Sequence, residues 1–320
     1  MPRGLARILI TASGGGHTGY ARAVALHLAG RHQLIFATRR GDGWSRSRLA
    51  GLGRVHETWA GRSPGDPVWR SIGLARGLYD SLGLPRVDVA LCTGHNHSIP
   101  PCIAAWLRGA RLILLEDVYR ISGGSRSVRL LSPVSTLVAL HWREQQGLYS
   151  RGVVVGPVYE PPIYKPWDGG YILVTTGSYG FKRLFDTILG LAGRWRLVLQ
   201  TGRVDPGPYR RDGVEAFRFD PDIERWIAGA SVVVTHIGVT AVNSALGYGK
   251  PVVIVYNPEW KLAAPPQDAR IVASRIGARF LSKLTLDSLV EAVEEALASR
   301  PPRIPSGAAR LARIVEASSS

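Results

Sequence analysis

The chain has 320 residues, 45% of them apolar, with 37 Gly and 21 Pro along its length. It is too long for one compact core and too apolar to be disordered, so two globular domains are expected. Forty Lys and Arg against 24 Asp and Glu give a formal charge of +16, which favours an anionic partner (nucleic acid, an acidic membrane surface or phosphorylated ligands) or reflects the Arg-rich surface of a thermophile's protein. Cys92 and Cys102 have neither metal nor redox spacing and read as reduced core residues. No apolar stretch reaches the roughly 20 residues of a membrane span, and MPRGLARILITA runs straight into a strand with no signal-peptide pattern.

Strand-like runs RILITA, QLIFAT, VDVALC, RLILLE and GVVVG alternate with helical spacing in the first half. A Pro- and Gly-rich stretch ends at residue 170, and YILVTT, RLVLQTG, VEAFRF, SVVVTH and PVVIVY restart the pattern. Alternating βα units imply parallel sheets covered on both faces. The expected organisation is a domain over 1–157, a linker over 158–170 and a second domain over 171–320, whose last helix can pack back on the first.

Each half opens with a glycine-rich strand-to-helix turn. In SGGGHTGY, the residues Gly14, Gly15 and Gly16 let backbone approach a ligand, a helix is expected from about Thr18, and His17 sits at the tip, where an imidazole can accept a hydroxyl proton. The alternative is a plain Rossmann-type turn with an incidental histidine. TGHNHSIPPC places Thr93, His95, Asn96, His97 and Ser98 after another strand. With no third metal ligand nearby, its histidines read as local hydrogen-bonding groups. Glu116, ending LILLE, is a helix cap or a residue that handles a sugar hydroxyl or proton.

In the second half, Thr176, Gly177 and Ser178 offer hydroxyls and backbone donors suited to a diphosphate, and Thr201, Gly202 and Arg203 repeat the device. His236 and Gly238 mark a further strand-to-helix junction. Asp220-Pro221-Asp222 imitates a metal-binding Asp-x-Asp but reads as helix caps, and Lys250 reads as a charge at a helix C-terminus.

Together these motifs resemble glycosyltransferase family 28, and within it the two-subunit N-acetylglucosamine transferases of lipid-linked oligosaccharide assembly, with acceptor-side and donor-side halves fused in one chain. SGGGHTGY, TGHNHSIPPC, LLEDVYRISG and VALHWREQQGLYSRGVVVGPV follow the acceptor half in order. YILVTTGSYGF, VLQTGR and VTHIGVTAVNSALGYGKPVVIV follow the donor half. The resemblance implies a GT-B fold, an α/β architecture of two Rossmann-like domains with parallel sheets facing across a cleft. It implies transfer of N-acetylglucosamine from UDP to a polyprenyl(dolichyl)-diphosphate-linked N-acetylglucosamine with inversion, forming a β-1,4 disaccharide lipid for N-glycan assembly.

By the same resemblance His17 is the base with Glu116 nearby. Gly14, Gly15, Gly16, Thr18, Asn96 and Ser98 meet the acceptor. Thr176, Gly177, Ser178, Gly202, Arg203, His236, Gly238, Asn243, Ser244, Gln267 and Asp268 meet the donor. Ser244, beside Asn243, stands where the family usually has a ribose-binding Glu, and the donor segment reads APPQDARIVA, an altered form of the family's Gln-rich one. No metal or other cofactor is expected, no separate partner subunit is required and no nucleic acid partner is expected. The protein is expected to be cytoplasmic, docking on the inner face of the membrane through basic and apolar surface including LLSPVSTLVALHW. The alternatives are a same-fold transferase of another UDP-sugar in polysaccharide assembly, and a binding module for nucleotide sugars or nucleic acid that has lost catalysis.

Overall fold

The computed structural model describes residues 5–59, 72–259 and 264–319. Residues 1–4, which belong to a segment quoted above, lie outside them. The chain forms two compact units, Met1–Glu160 with Ser306–Ser320, and Pro161–Pro305.

In the first unit the strands β1 (Arg7–Ala12), β2 (Gln33–Arg39), β3 (Arg54–Thr58), β4 (Val89–Cys92), β5 (Arg111–Leu115), β6 (Leu137–Leu140) and β7 (Gly152–Val154) make one parallel sheet, ordered β3-β2-β1-β4-β5-β6-β7. Its central strands are near-continuous apolar runs because helices cover both faces: Ile8, Leu9, Ile10, Val89, Ala90 and Leu91 are at most 1% exposed. The covering helices are α1 (Gly15–Ala25), α2 (Gly43–Leu49), α3 (Gly73–Leu82), α4 (Ile99–Leu107) and α5 (Arg126–Leu131). Strand order reverses between β1 and β4, so the turns after these strands share one sheet edge. This is the topological switch point at which open α/β sheets bind ligands.

The second unit repeats the plan with β8 (Tyr171–Thr175), β9 (Arg196–Gln200), β10 (Val214–Phe217), β11 (Val232–Thr235), β12 (Val252–Val255) and β13 (Arg279–Leu281), ordered β10-β9-β8-β11-β12-β13. Its switch point lies between β8 and β11. The helices are α6 (Lys182–Ile188), α7 (Ile223–Gly229), α8 (Val239–Val242), α9 (Pro266–Ile276) and α10 (Leu286–Leu297). Phe181, Leu184, Phe185 and Ile188 pack with Val174, Leu199 and Val293 in its core. Thr285 caps α10, its hydroxyl accepting from the Ser288 N–H.

The final helix, α11 (Ala308–Ala317), belongs to the first unit, so the second unit ends at Pro305 and not at 320. Its apolar stripe of Ala308, Leu311, Ala312 and Val315 is buried, and α11 packs on α1. Arg31 and His32 both reach Glu316, and Arg111 donates to the Ser318 carbonyl. Glu160 closes the first unit. Its carboxylate takes Arg22 of α1 at 2.8 Å and Arg48 of α2 at 2.6 Å, and lies so close to Gly19 that a Cβ there would stand 3.0 Å from it.

The expected docking segment LLSPVSTLVALHW is mostly interior. Val138, Ala139 and Leu140 are fully buried, and Leu130 (60% exposed) is its one large apolar side chain at the surface. The pattern is apolar because the strand lies inside the sheet between β5 and β7, not because the surface is sticky. The carboxylates of the Asp-x-Asp pair are occupied as well, though neither caps the helix with its side chain: Asp220 accepts from the Asp222 N–H and Trp226 Nε1, and Asp222 accepts the Tyr164 hydroxyl. Lys250 is buried and donates to the Trp167 carbonyl, fastening the 161–170 segment onto its own unit; burial lowers its pKa.

Candidate functional site

The helix after β1 starts at Gly15, earlier than expected, with Gly14 (φ 58°, ψ 156°) as its cap, so His17 stands in the first turn of α1 and not at a loop tip. His17 Nδ1 lies 2.7 Å from the Thr93 carbonyl oxygen, on the turn after β4. A carbonyl only accepts, so Nδ1 carries a proton, and in the neutral ring Nε2 has the lone pair. The Asp117 Oδ1 atom stands 3.9 Å from Nδ1, buried and without a hydrogen-bond partner. It is too far to compete with Thr93 but close enough to steady an imidazolium once Nε2 takes a proton. Gly94, at φ 94°, passes under the ring: a Cβ there would lie 3.2 Å from His17 Cε1.

Glu116 is not the partner of His17. It is fully buried, with one oxygen accepting the Asp117 N–H (2.8 Å) and the other the Ser125 N–H (3.0 Å) and the Tyr149 hydroxyl. Burial, with Asp117 alongside, raises its pKa. It caps no helix; it closes the turn after β5 and leaves its neighbour Asp117 facing the histidine. Behind it, His141 donates from Nε2 to the Glu116 carbonyl and accepts the Val158 N–H on Nδ1; burial pushes its pKa down to about 4.

Three other expected acceptor contacts are spent inside the protein. The Gly14 N–H donates to Ser45 Oγ (3.1 Å), Thr18 Oγ1 pairs with Ser45 Oγ (2.7 Å), and Ser98 Oγ donates to the Gly94 carbonyl. Ser45 itself donates to Asp42, the cap of α2. Gly15, Gly16 and Asn96 remain on the accessible side, with Gly15 and Asn96 exposed. Ser45 therefore sets the path of the glycine turn. Ser45→Ala should lower transfer kcat about ten-fold while costing only about 1–2 kcal/mol of stability, measured by steady-state kinetics beside thermal melting.

In the second unit the turns after β8 and β9 interlock through glycines. A Cβ on Gly202 (φ 63°) would stand 2.6 Å from the Gly177 carbonyl oxygen, and one on Gly180 (φ 81°) 2.4 Å from that of Thr201. Gly177 and Gly238 both approach the His236 ring, whose pKa burial lowers to about 4, leaving it neutral. Thr176 Oγ1 is buried without a partner. Ser178 is exposed, and Arg203 lies over the Tyr179 ring at 4.5 Å.

The helix after Gly238 widens into a π turn over Asn243–Gly247. Asn243 Oδ1 and Ser244 Oγ in it are buried and unpartnered, a combination common where backbone is shaped for a ligand. Gln267 is exposed and Asp268 buried at the start of α9. Thus Thr176, Gly177, Ser178, Gly202, Arg203, His236 and Gly238 gather on the turns after β8, β9 and β11, and Asn243, Ser244, Gln267 and Asp268 stand on following helices. Asp117, Ser45 and Asp42 were missed; only the Asp-x-x-Ser capping pattern of 42–45 was readable in advance.

Each unit is thus a Rossmann-type α/β domain with its polar residues at the switch point, the domain pair of the GT-B class. Residues 171–314 match the glycosyltransferase family 28 C-terminal domain. A UDP-N-acetylglucosamine--N-acetylmuramyl-(pentapeptide) pyrophosphoryl-undecaprenol N-acetylglucosamine transferase of Sulfurihydrogenibium sp. (strain YO3AOP1) is 25% identical over 194 residues, 57% of this chain and 55% of that protein. The match therefore spans about half the length of that relative. The crystal structure of MurG from Acinetobacter baumannii superposes with a TM-score of 0.65 at 17% identity, covering 98% of this chain and 100% of that one. The glycotransferase of kitacinnamycin gives 0.69 at 17% identity, covering 99% and 100%. The second half of the chain is thus similar to the glycosyltransferase family 28 C-terminal domain, and the fold over nearly the whole chain is that of the GT-B glycosyltransferases.

Proposed function

We propose that the protein is an inverting glycosyltransferase that moves N-acetylglucosamine from UDP to N-acetylglucosamine on a polyprenyl diphosphate, forming a β-1,4 disaccharide lipid of the kind used in N-glycan assembly. The observation that carries this reading is the bond between His17 Nδ1 and the Thr93 carbonyl, which in the neutral ring puts the lone pair of a base on Nε2 at a switch point. The acceptor hydroxyl oxygen attacks the anomeric carbon, and its proton passes to Nε2 as the bond to the UDP oxygen breaks. The electron pair leaves with UDP, which the turns after β8, β9 and β11 hold. Asp117 offsets the charge on His17 until the proton is released. The curated relative is by name a transferase of N-acetylglucosamine onto a pyrophosphoryl-lipid, which supports the donor and the acceptor class.

A lipid acceptor calls for work at a membrane surface. Among the described residues no helix is long and apolar enough to cross a membrane. In place of LLSPVSTLVALHW, the reading assigns docking to the α3–α4 ridge, where Tyr79 (77% exposed), Leu82, Trp106 and Leu107 (62%) stand clear of the surface. Arg108 sits beside Leu82, donating to its carbonyl. A cation beside an apolar ridge suits an anionic leaflet, here its cytoplasmic face. Paired Tyr79→Ser and Leu82→Ser changes should cut co-sedimentation with phosphatidylglycerol vesicles at least five-fold with melting unchanged; undiminished sedimentation would place docking elsewhere.

The reaction itself is tested with radiolabelled UDP-N-acetylglucosamine, a short polyprenyl-diphosphate-N-acetylglucosamine and EDTA, other UDP-sugars being run in parallel. A labelled disaccharide lipid in the organic phase from UDP-N-acetylglucosamine alone is the expected result. Product from a different donor overturns the sugar assignment, and UDP binding without product from any donor overturns the acceptor.

A further inference from the structure

Among the described residues His95 is the one non-glycine with positive φ, at φ 70° and ψ 153°. That region of backbone space is essentially reserved for glycine, and residues forced into it gather where function over-determines the conformation. The strained residue adjoins the base: the His17 and His95 rings stand 5.5 Å apart, centroid to centroid. Its orientation is also set. The His97 N–H donates to His95 Nδ1 at 3.4 Å, so a neutral ring carries its proton on Nε2.

We propose that His95 is a second substrate-contacting histidine, whose Nε2–H donates a hydrogen bond to an uncharged oxygen of the sugar that His17 deprotonates. This rests on the acceptor site proposed above. The chemistry suits an uncharged oxygen, a sugar hydroxyl or an amide carbonyl. Burial holds the ring neutral, its pKa down to about 3, and His17, His97 and Arg39 push the same way. His95 therefore offers one N–H and no charge beside a base that must itself become charged. No hydrogen bond to Nε2 exists among the described residues; the Nδ1 contact is the ring's one hydrogen bond there. A strained backbone with a directed, uncommitted donor next to the base is accounted for by substrate, whereas a structural histidine would have both nitrogens satisfied or a relaxed backbone.

The test is His95→Gly, which relieves the strain and removes the donor. The expected signature separates function from structure. Tm rises by about 2–4 °C, while KM for the lipid-linked acceptor rises at least ten-fold and KM for the UDP-sugar stays unchanged. His95→Asn, which keeps the strained backbone and a shorter N–H donor, should recover part of the lost acceptor affinity without the gain in Tm. A lowered Tm, or an unchanged acceptor KM, in His95→Gly overturns the proposal. His17→Ala measured alongside keeps two failures apart. If it is inactive while His95→Gly is wild-type, the His95 assignment alone falls; if it is fully active, the acceptor site falls and His95 with it.

Discussion

His17→Ala should reduce kcat by about 10²–10⁴-fold, the range general-base catalysis supplies, and leave UDP affinity within about two-fold of wild type. The split follows from where the residue stands. His17 is in the first unit, on the helix that follows β1, while the expected donor residues lie on turns and helices of the second. Removing the imidazole leaves the glycine turn braced, because Ser45 holds Gly14 and Thr18 independently of the ring. His17→Gln is the informative companion. Its amide can keep a bond to the Thr93 carbonyl but cannot take up a proton at neutral pH, so it should be nearly as slow as His17→Ala. Single-turnover kinetics with a UDP titration would measure both quantities; a rate within three-fold of wild type in either variant would remove His17 as the base.

Glu116→Ala should cost about 3–5 kcal/mol of unfolding free energy, the largest stability loss of any change considered. The substitution strands two backbone N–H groups and the Tyr149 hydroxyl in a buried turn, each with Glu116 as its acceptor. Glu116→Gln should cost less, about 1–3 kcal/mol, because its oxygen retains one donor while its amide faces the others. In the folded protein at a permissive temperature, kcat of the Gln variant should stay within about three-fold of wild type. Denaturant unfolding and kinetics on the same samples decide the matter. An unchanged melting curve with kcat down a hundred-fold would return Glu116 to the chemistry and displace Asp117.

Particular residues show what was legible in the chain. Ile8–Ile10 in RILITA and Ile172–Val174 in YILVTT are apolar at successive positions because both faces of their strands are covered, and that pattern locates the two sheets without further information. Glycine turns after strands were equally readable, since close packing of backbone leaves few other residue types possible at Gly202 or Gly180. The choice between Glu116 and Asp117 was not. Adjacent carboxylates point in different directions, and which one faces His17 depends on the path of the turn that Ser125 and Tyr149 close from nine and 33 positions away. Thr93 acts through its carbonyl, which every residue type has, so its role in fixing the His17 tautomer leaves no trace in side-chain chemistry. LLSPVSTLVALHW failed as a docking surface for a related reason: apolar spacing says that a face is covered, not what covers it.

The central claim is that one base, His17 Nε2, drives a single direct displacement at the anomeric carbon. The stereochemistry of the product tests this most directly. Transfer from an α-linked UDP-sugar, with the purified product read by proton NMR at the new anomeric centre, should give the β-linkage alone. An α-linked product would require two displacements through a covalent or ion-paired intermediate, and would contradict the role assigned to His17.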